Sequence, residues 1–530
     1  MIRLIKFTLL MTLLAISFTG CKKGASGKAK GASITINITT EPGTLDPRKA
    51  RAHSDINLIS MFMEGLTRTD KNGKNALALA KSVDISPDRK IYTFELRDSV
   101  WSNGDPVTSY DFAYAWKKSL TPSFNAPSAN LLYVIKNAKE VKTGNLPLSL
   151  VGIETPDDRT LIVTLSHPTP YFLDLIAHPI YFPVNSKVDR TDPHWAENSS
   201  GFVGNGPFIL SNWKHHNQLE ATKNKGYWDQ HAVKLSRINM VMVTEETGFK
   251  MFDTKELNWD GSPFSTIPVD AIHSLKEKDK LQIAPILATE WIRVNIEKTP
   301  FESSQLRRAF AYAINRQAIV DHIVQGNQIP ATGIVPPSMK LQSAPFFKDG
   351  DIELARILFK EQMENLGLSS SAFPKVTLLY TFSKKNHLIA QTLQDQWLKA
   401  FGIQIELEAV PKTVFLDRIS KKNYTLALGS WFADFNDPIN FLEVFKTKDV
   451  GTNNTNWEMP IYTELLERSF TCKTPEERLA VLEKSEKVLM NEMPVIPIFH
   501  YTMLHVQDKE LKDVVWTTMG NIDFKWARLD

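Results

Sequence analysis

Two cysteines in 530 residues, Cys21 and Cys472, leave no room for a disulfide-stapled scaffold. Strong charge of one sign is missing as well, with 62 Lys and Arg against 59 Asp and Glu and a net charge of +3. Without a Lys/Arg block the chain does not read as a nucleic-acid binder. Catalytic signatures are absent: there is no Gly-x-Ser-x-Gly elbow and no His-Glu-x-x-His zinc helix. The glycine-rich stretch 201–207 ends in Pro207, and no Gly-Lys-Ser/Thr closes it. It reads as a turn before the strand Phe208-Ile209-Leu210 rather than a phosphate cradle. His215 and His216 are adjacent, which on a strand puts their rings on opposite faces, so a surface pair is expected and not a metal site. Glu245-Glu246 and Asp157-Asp158 lie in polar turns. No nucleophile stands with a base, and neither a cofactor nor a metal is called for.

What is present is an ordinary globular composition, 42% apolar and 23% charged, on a chain of 60.0 kDa. That length exceeds one core and implies two or three folding units. The first twenty residues read as a signal peptide: Arg3 and Lys6 are basic, Leu9 to Phe18 are apolar, and small residues lead to Cys21. The apolar run is too short for a permanent membrane helix. Cys21 is the expected lipidation site, with Phe18 where a lipobox usually carries an aliphatic residue. Residues 21–33, with Lys22, Lys23, Lys28 and Lys30, read as a solvated tether. Cys472, in a polar stretch beside Lys473, reads as an incidental thiol.

Beyond the tether, Ile34, Ile36 and Ile38 alternate as a strand. Asp70-Lys71-Asn72-Gly73 is a hairpin turn, and Tyr92, Phe94 and Leu96 mark a half-buried strand. After the 103–106 turn, Thr108 or Ser109 caps a helix with Asp111 in its first turn and Phe112 and Trp116 facing inward. Thr160 to Leu165 is a further strand. Leu306, Phe310, Ala313 and Ile314 recur at helical spacing, with Gly326 placed as a C-cap glycine. Val376 to Phe382 reads as a strand, His387 to Phe401 as a helix stopped by Gly402, and residues 403–409 as the next strand. That order is a βαβ unit, predicting α/β architecture around a mostly parallel sheet in this half.

The segment 426–438 begins as a buried strand and delivers Trp431 and Asp434 where the strand ends, the place where ligand sites gather in open α/β sheets. A carboxylate in such an aromatic setting calls for a cation. Taken alone, core packing for Trp431 and an N-cap role for Asp434 ahead of Pro438 are the plainer readings.

Several motifs occur in order over nearly the whole mature chain: 41–47 (Glu-Pro-Gly-Thr-Leu-Asp-Pro), 62–66 (Phe-Met-Glu-Gly-Leu), the block from Phe94 to Trp116, 205–208 (Asn-Gly-Pro-Phe), 224–229 (Asn-Lys-Gly-Tyr-Trp-Asp) and 306–316. In these the chain resembles the extracytoplasmic peptide-binding proteins of ABC importers, solute-binding protein family 5. The resemblance implies a two-lobed α/β periplasmic-binding-protein fold (type II, cluster C) with a hinge and an extra inserted domain. Lobe one would comprise 34–62, 198–290 and 500–530, the insert 63–197, and lobe two 291–499. It implies a monomeric receptor, not an enzyme, that closes over a peptide and presents it to a membrane permease driven by an ATPase. It would be lipid-anchored on the outer face of a bacterial membrane.

The family's peptide-amine anchor, a Trp-x-x-Asp-x-Asn-x-Pro segment, matches Trp431, Asp434, Asn436 and Pro438. The resemblance therefore implies that Asp434 holds the ligand's α-ammonium and Trp431 lines a side-chain pocket. The backbone of Gly429 and Phe432 would pair with the peptide. Where oligopeptide binders can carry a carboxylate-holding arginine, this chain has Leu428, and a second such position falls on Asn386 with His387 beside it. Arg51, His53 and Lys412 are the alternatives for the carboxyl end, and Tyr501 completes the candidate set. Other solutes remain open: a modified or cell-wall peptide, a nickel chelate, haem or a sugar. A chaperone for unfolded chains is the rival from another class.

Overall fold

The computed structural model describes residues 32–530 apart from 370, 371 and 450; the signal segment and Cys21 lie outside the described residues. The motifs met in the sequence converge in space. Glu64, fully buried, accepts from Tyr227 Oη at 2.5 Å and Trp228 Nε1 at 2.6 Å. Asn205 exchanges two hydrogen bonds of 3.0 Å with the Glu64 backbone. The Arg97 guanidinium lies 3.9 Å over the Trp228 ring. Gly206 is obligatory here, because a Cβ would stand 2.5 Å from the Phe62 carbonyl carbon. These contacts tie the strand–turn–helix block to the main sheet.

That sheet has eleven strands. Its order runs Glu406–Val410, Thr377–Thr381, Leu426–Phe432, Leu281–Val294, Val495–Gln507, Trp259–Gly261, Ser33–Asn37, Arg237–Val241, Gln218–Lys223 and Phe208–Lys214, with Ile329–Pro330 also on Val495–Gln507. The two long central strands, Leu281–Val294 and Val495–Gln507, are antiparallel and carry the sheet from one half to the other. Their pairing shifts register between Pro285 and Thr289 and again between Glu290 and Trp291. A break of this kind is where a ladder can bend.

The βαβ unit is present: Thr377–Thr381, helix Lys384–Phe401 and Glu406–Val410. Gly402 stops the helix with φ 70°. The last strand starts later than the alternation from Ile403 suggests, because Ile403 and Ile405 are buried in the approach to it. The mostly parallel sheet needs correction. Only the strands 377–381, 406–410 and 426–432 pair in parallel in this half, and Leu281–Val294 is antiparallel to both of its neighbours.

Residues 80–164 add a four-stranded antiparallel sheet of Ala80–Ile85, Ile91–Leu96, Thr160–Thr164 and Ile153–Glu154. Helix Ser109–Leu120 starts on the expected capping box, Thr108 with Asp111, and buries Phe112 and Trp116 completely. The hairpin turn at Gly73 also forms, between Thr67–Thr69 and Asn75–Leu77.

Three local expectations fail, the first being that Glu245 and Glu246 lie in a turn: they open helix Glu245–Asp253. Gly326 is not a C-cap: helix Ser304–Tyr312 ends earlier, a π-helical turn Val320–Val324 intervenes, and the left-handed residue is Gln325. His215 and His216 do not lie on opposite strand faces. They occupy the turn after Phe208–Lys214, and both rings turn toward Glu41, at 2.8 and 3.7 Å.

Candidate functional site

The strand Leu426–Phe432 is paired unequally along its two edges. On one side it runs with Leu281–Val294 throughout, from Leu426 opposite Val294 to Phe432 opposite Ala288. On the other side it meets Thr377–Thr381 only at Leu426 and Ala427. Residues 428–432 therefore present an open edge. Its phase follows from the flanking hydrogen bonds: Asn295 N donates to Thr425 O at 3.0 Å and Ala433 N to Leu287 O at 2.8 Å. Odd-numbered residues thus aim their backbone groups at the neighbouring strand, and Leu428, Ser430 and Phe432 aim theirs outward. Of the two residues expected to offer backbone groups, Phe432 aims them at the open edge and Gly429 aims them at the neighbouring strand, with Ser430 the next outward-facing residue.

Gly429 does something else. A Cβ there would stand 2.9 Å from Arg293 Nη1 and 3.4 Å from the Phe415 ring, so its bareness makes room for a guanidinium. Arg293 is 6% exposed, and its side chain makes no hydrogen bond and no ion pair among the described residues. Burial lowers its pKa, with Tyr424 and Glu290 opposing the shift. Its guanidinium lies 5.4 Å from the Trp291 ring centroid, and a buried cation without an anion is costly and calls for one.

Past the strand end, Asn440 organises the turn. Its Oδ1 accepts from Trp431 Nε1 at 2.9 Å and from the Asp434 N–H at 3.3 Å. Burial pushes the half-buried Asp434 carboxyl up to about 6, while Arg51's charge and a side-chain hydrogen bond with Asn440 pull it down. Asp434 does not take the N-cap role open to it: Pro438 is the N-cap of helix Ile439–Leu442, and the carboxylate that accepts from Ile439 N, at 3.0 Å, is Asp437, gripped by Arg478 through two 2.8 Å bonds. Asp434 is left facing a cavity of about 270 Å³, lined by Trp431, Asp434 and Glu443 on one side and Tyr133, His167 and Tyr171 on the other.

The remaining candidates divide. His53 and Tyr501 flank Phe432, with ring centroids 6.1 and 5.2 Å from it. His53 Nε2 donates to Gly520 O at 2.9 Å, and burial holds its pKa down to about 4, so it is neutral. Tyr501 Oη is bonded to Glu290, and Lys385 lies 5.1 Å over its ring. Arg51 is exposed, and its charge falls on Asp434. Lys412 is exposed, and its charge falls on Asp55. Asn386 is tied locally, its Nδ2 donating to Thr381 O at 3.1 Å and Oγ1 at 2.7 Å. His387 Nδ1 is 2.7 Å from Tyr380 Oη. Neither Asn386 nor His387 lines the cavity, and the exposed Asn436 does not line it either.

Sequence reading missed Asn440, Glu443, Arg293 and Tyr171. The spacing of Asn440 and Glu443, three apart after Pro438 on one helical face, was an available signal. Nothing local marks Arg293 or Tyr171.

The family model for bacterial extracellular solute-binding proteins, family 5 Middle, matches residues 76–453. The chain belongs to that family. The oligopeptide-binding protein OppA of Bacillus subtilis (strain 168) is 38% identical over 532 residues, covering 98% of this chain and 97% of that protein. The dipeptide-binding protein DppE of the same organism is 32% identical, covering 97% of each. The solved Haemophilus influenzae OppA complex with RPPGFSPFR superimposes with a TM-score of 0.83 at 25% identity, over 94% of this chain and 99% of the other.

This solute-binding protein is a receptor and not an enzyme, as its family is one of binding proteins. Its mixed α/β fold with one large sheet is that of the periplasmic binding proteins. Among the described residues no helix is long and apolar enough to cross a membrane, and no group of three His, Cys, Asp or Glu is placed to hold a metal.

Proposed function

We propose that this protein is a lipid-anchored peptide receptor that hands its ligand to an ABC importer permease. One observation carries the reading: an open strand edge bounded by two charges of opposite sign, neither of them in an ion pair among the described residues. Asp434 stands past one end of residues 428–432, and the Arg293 guanidinium is wedged against Gly429 further back. At about 3.3 Å per residue, Gly429 and Asp434 are some 16 Å apart along the chain. A short zwitterion carrying backbone amides matches that layout, its ammonium on Asp434 and its carboxylate toward Arg293. The edge groups of Ser430 and Phe432 would supply main-chain hydrogen bonds, which every peptide can make. The names of the relatives, oligopeptide- and dipeptide-binding, agree with this ligand class.

Lobe one would be 34–62, 198–290 and 500–530, the insert 63–197 and lobe two 291–499. The strands Leu281–Val294 and Val495–Gln507 would serve as the hinge, and their register shifts lie close to both proposed boundaries. Closure needs a ligand that touches both sides, since only differential contact favours the closed state. Cys21 would carry the lipid, keeping the receptor beside its permease and ATPase.

The test is thermal unfolding of the purified chain against a random peptide pool and the same pool with acetylated amines. Ligand at 100 times its Kd adds about 2.7 kcal/mol of stability. A shift with free amines that is lost on acetylation is expected. No shift with either pool would overturn the peptide reading, and equal shifts would remove the ammonium anchor and favour a chaperone.

A further inference from the structure

Glu443 begins the 3₁₀ turn Glu443–Phe445, directly after helix Ile439–Leu442. Its carboxylate lines the same cavity as Asp434 and makes no hydrogen bond or ion pair among the described residues. The charges around it are already committed. Lys446 Nζ lies 2.5 Å from Glu467 Oε1, Arg478 is locked on Asp437, and Arg51 acts on Asp434. His167 across the cavity is held toward its neutral form by burial. Burial pushes the Glu443 carboxyl up to about 7, with Lys446 and Arg478 lowering it and Asp437 and Glu467 raising it. The walls are aromatic: Tyr133, Tyr171 and Trp431. At about 270 Å³ the space is below the usual range for a whole small ligand, roughly 300–1,000 Å³, and suits one side chain.

We propose that Glu443 makes this cavity select ligands whose amino-terminal residue carries a basic side chain, so that two cations on one residue meet two carboxylates. The inference rests on the reading of Asp434 as the amine anchor. The α-ammonium takes Asp434, the aliphatic stem of a lysine- or arginine-type side chain lies along the aromatic walls, and its charged head reaches Glu443. The entering cation stabilises the ionised carboxylate, so Glu443 loses on binding the proton that burial lets it partly hold. A neutral side chain of equal length leaves Glu443 buried and unpaired.

Calorimetric titration of the full chain with lysyl-trialanine and norleucyl-trialanine tests this, in the wild type and in Glu443→Gln. The wild type should bind the lysyl peptide roughly tenfold or more tightly than the norleucyl one, and Glu443→Gln should close that gap. Amine acetylation should abolish binding in both proteins. Equal affinity of the wild type for the two peptides, or a gap that persists in Glu443→Gln, overturns the proposal while leaving the peptide reading intact. If neither peptide binds the wild type at all, the peptide reading fails and takes this inference with it. Should the variant not fold, lysyl-trialanine against its side-chain-acetylated form, in the wild type alone, decides the same question.

Discussion

The rings of Tyr171 and Phe435 stack face to face, their centroids 4.3 Å apart and their planes 6° from parallel. Tyr171 lines the cavity with its neighbour and has the Arg478 guanidinium 6.0 Å from its centroid. Arg478 in turn holds Asp437, which accepts from the N–H of Ile439 at the start of the helix carrying Asn440. One ring from the region of the small sheet thus reaches the turn that presents Asp434. An aromatic pair of this kind contributes about 0.5–1.5 kcal/mol beyond area burial. Tyr171→Ala should weaken peptide binding about three- to tenfold, measured by calorimetry. Unchanged affinity would mean that the stack does not support the site.

Binding should depend on pH, with Asp434 as the proposed amine anchor. Its carboxyl is pushed up to about 6 in the ligand-free protein, and an ammonium ligand needs it ionised. The sign for folding follows: the folded state holds a proton that the unfolded chain releases at lower pH, so this group's contribution to stability falls as pH rises from about 4 through 6. Ligand affinity moves the other way, rising about tenfold from pH 5 to pH 7 with proton release. Affinity that stays flat across that range would remove Asp434 from the amine site. Asp434→Asn should cost about 1.5–3 kcal/mol of binding and flatten the profile.

Gly429 and Arg293 test the carboxyl end. A methyl at Gly429 meets only the tip of a flexible side chain at 2.9 Å, and the backbone there carries no positive φ. Gly429→Ala should therefore fold with little loss of stability while pushing the guanidinium aside. The expected result is a smaller difference between peptides with free and amidated carboxyl ends. The same difference in variant and wild type would show that Arg293 does not face the ligand.

Gly206 is a control for the frame. Its added Cβ would meet Phe62 and Met63 backbone atoms at 2.5 and 2.6 Å, which cannot swing away. Gly206→Ala should lower stability by about 3 kcal/mol or more, read as a lower denaturant midpoint at unchanged slope. A change below about 1 kcal/mol would show that the Phe62 segment is free to move.

Much of this protein is local and was legible. The capping box at Thr108 and Asp111, the stop at Gly402, the βαβ unit and the placement of Trp431 and Asp434 at a strand end all depend on a few neighbouring residues. Hydrophobic period and turn chemistry act over that range, so the chain alone determines them. The failures are local contests that remote packing decided. Gln325, not Gly326, takes the left-handed conformation after a π turn, and His215 and His216 turn together onto Glu41, which arrives from far along the chain.

Tertiary structure alone decided which backbone groups are free. A strand's period of two says that alternate residues point alike, but only the neighbouring strand sets which alternate set is used up, and here that favours Ser430 over Gly429. It likewise decided that Arg293 emerges beside Gly429, and that Tyr171 and Glu443 close one cavity around Asp434. Those groups come from segments far apart in the chain, and the fit between their surfaces has no periodic trace in the sequence.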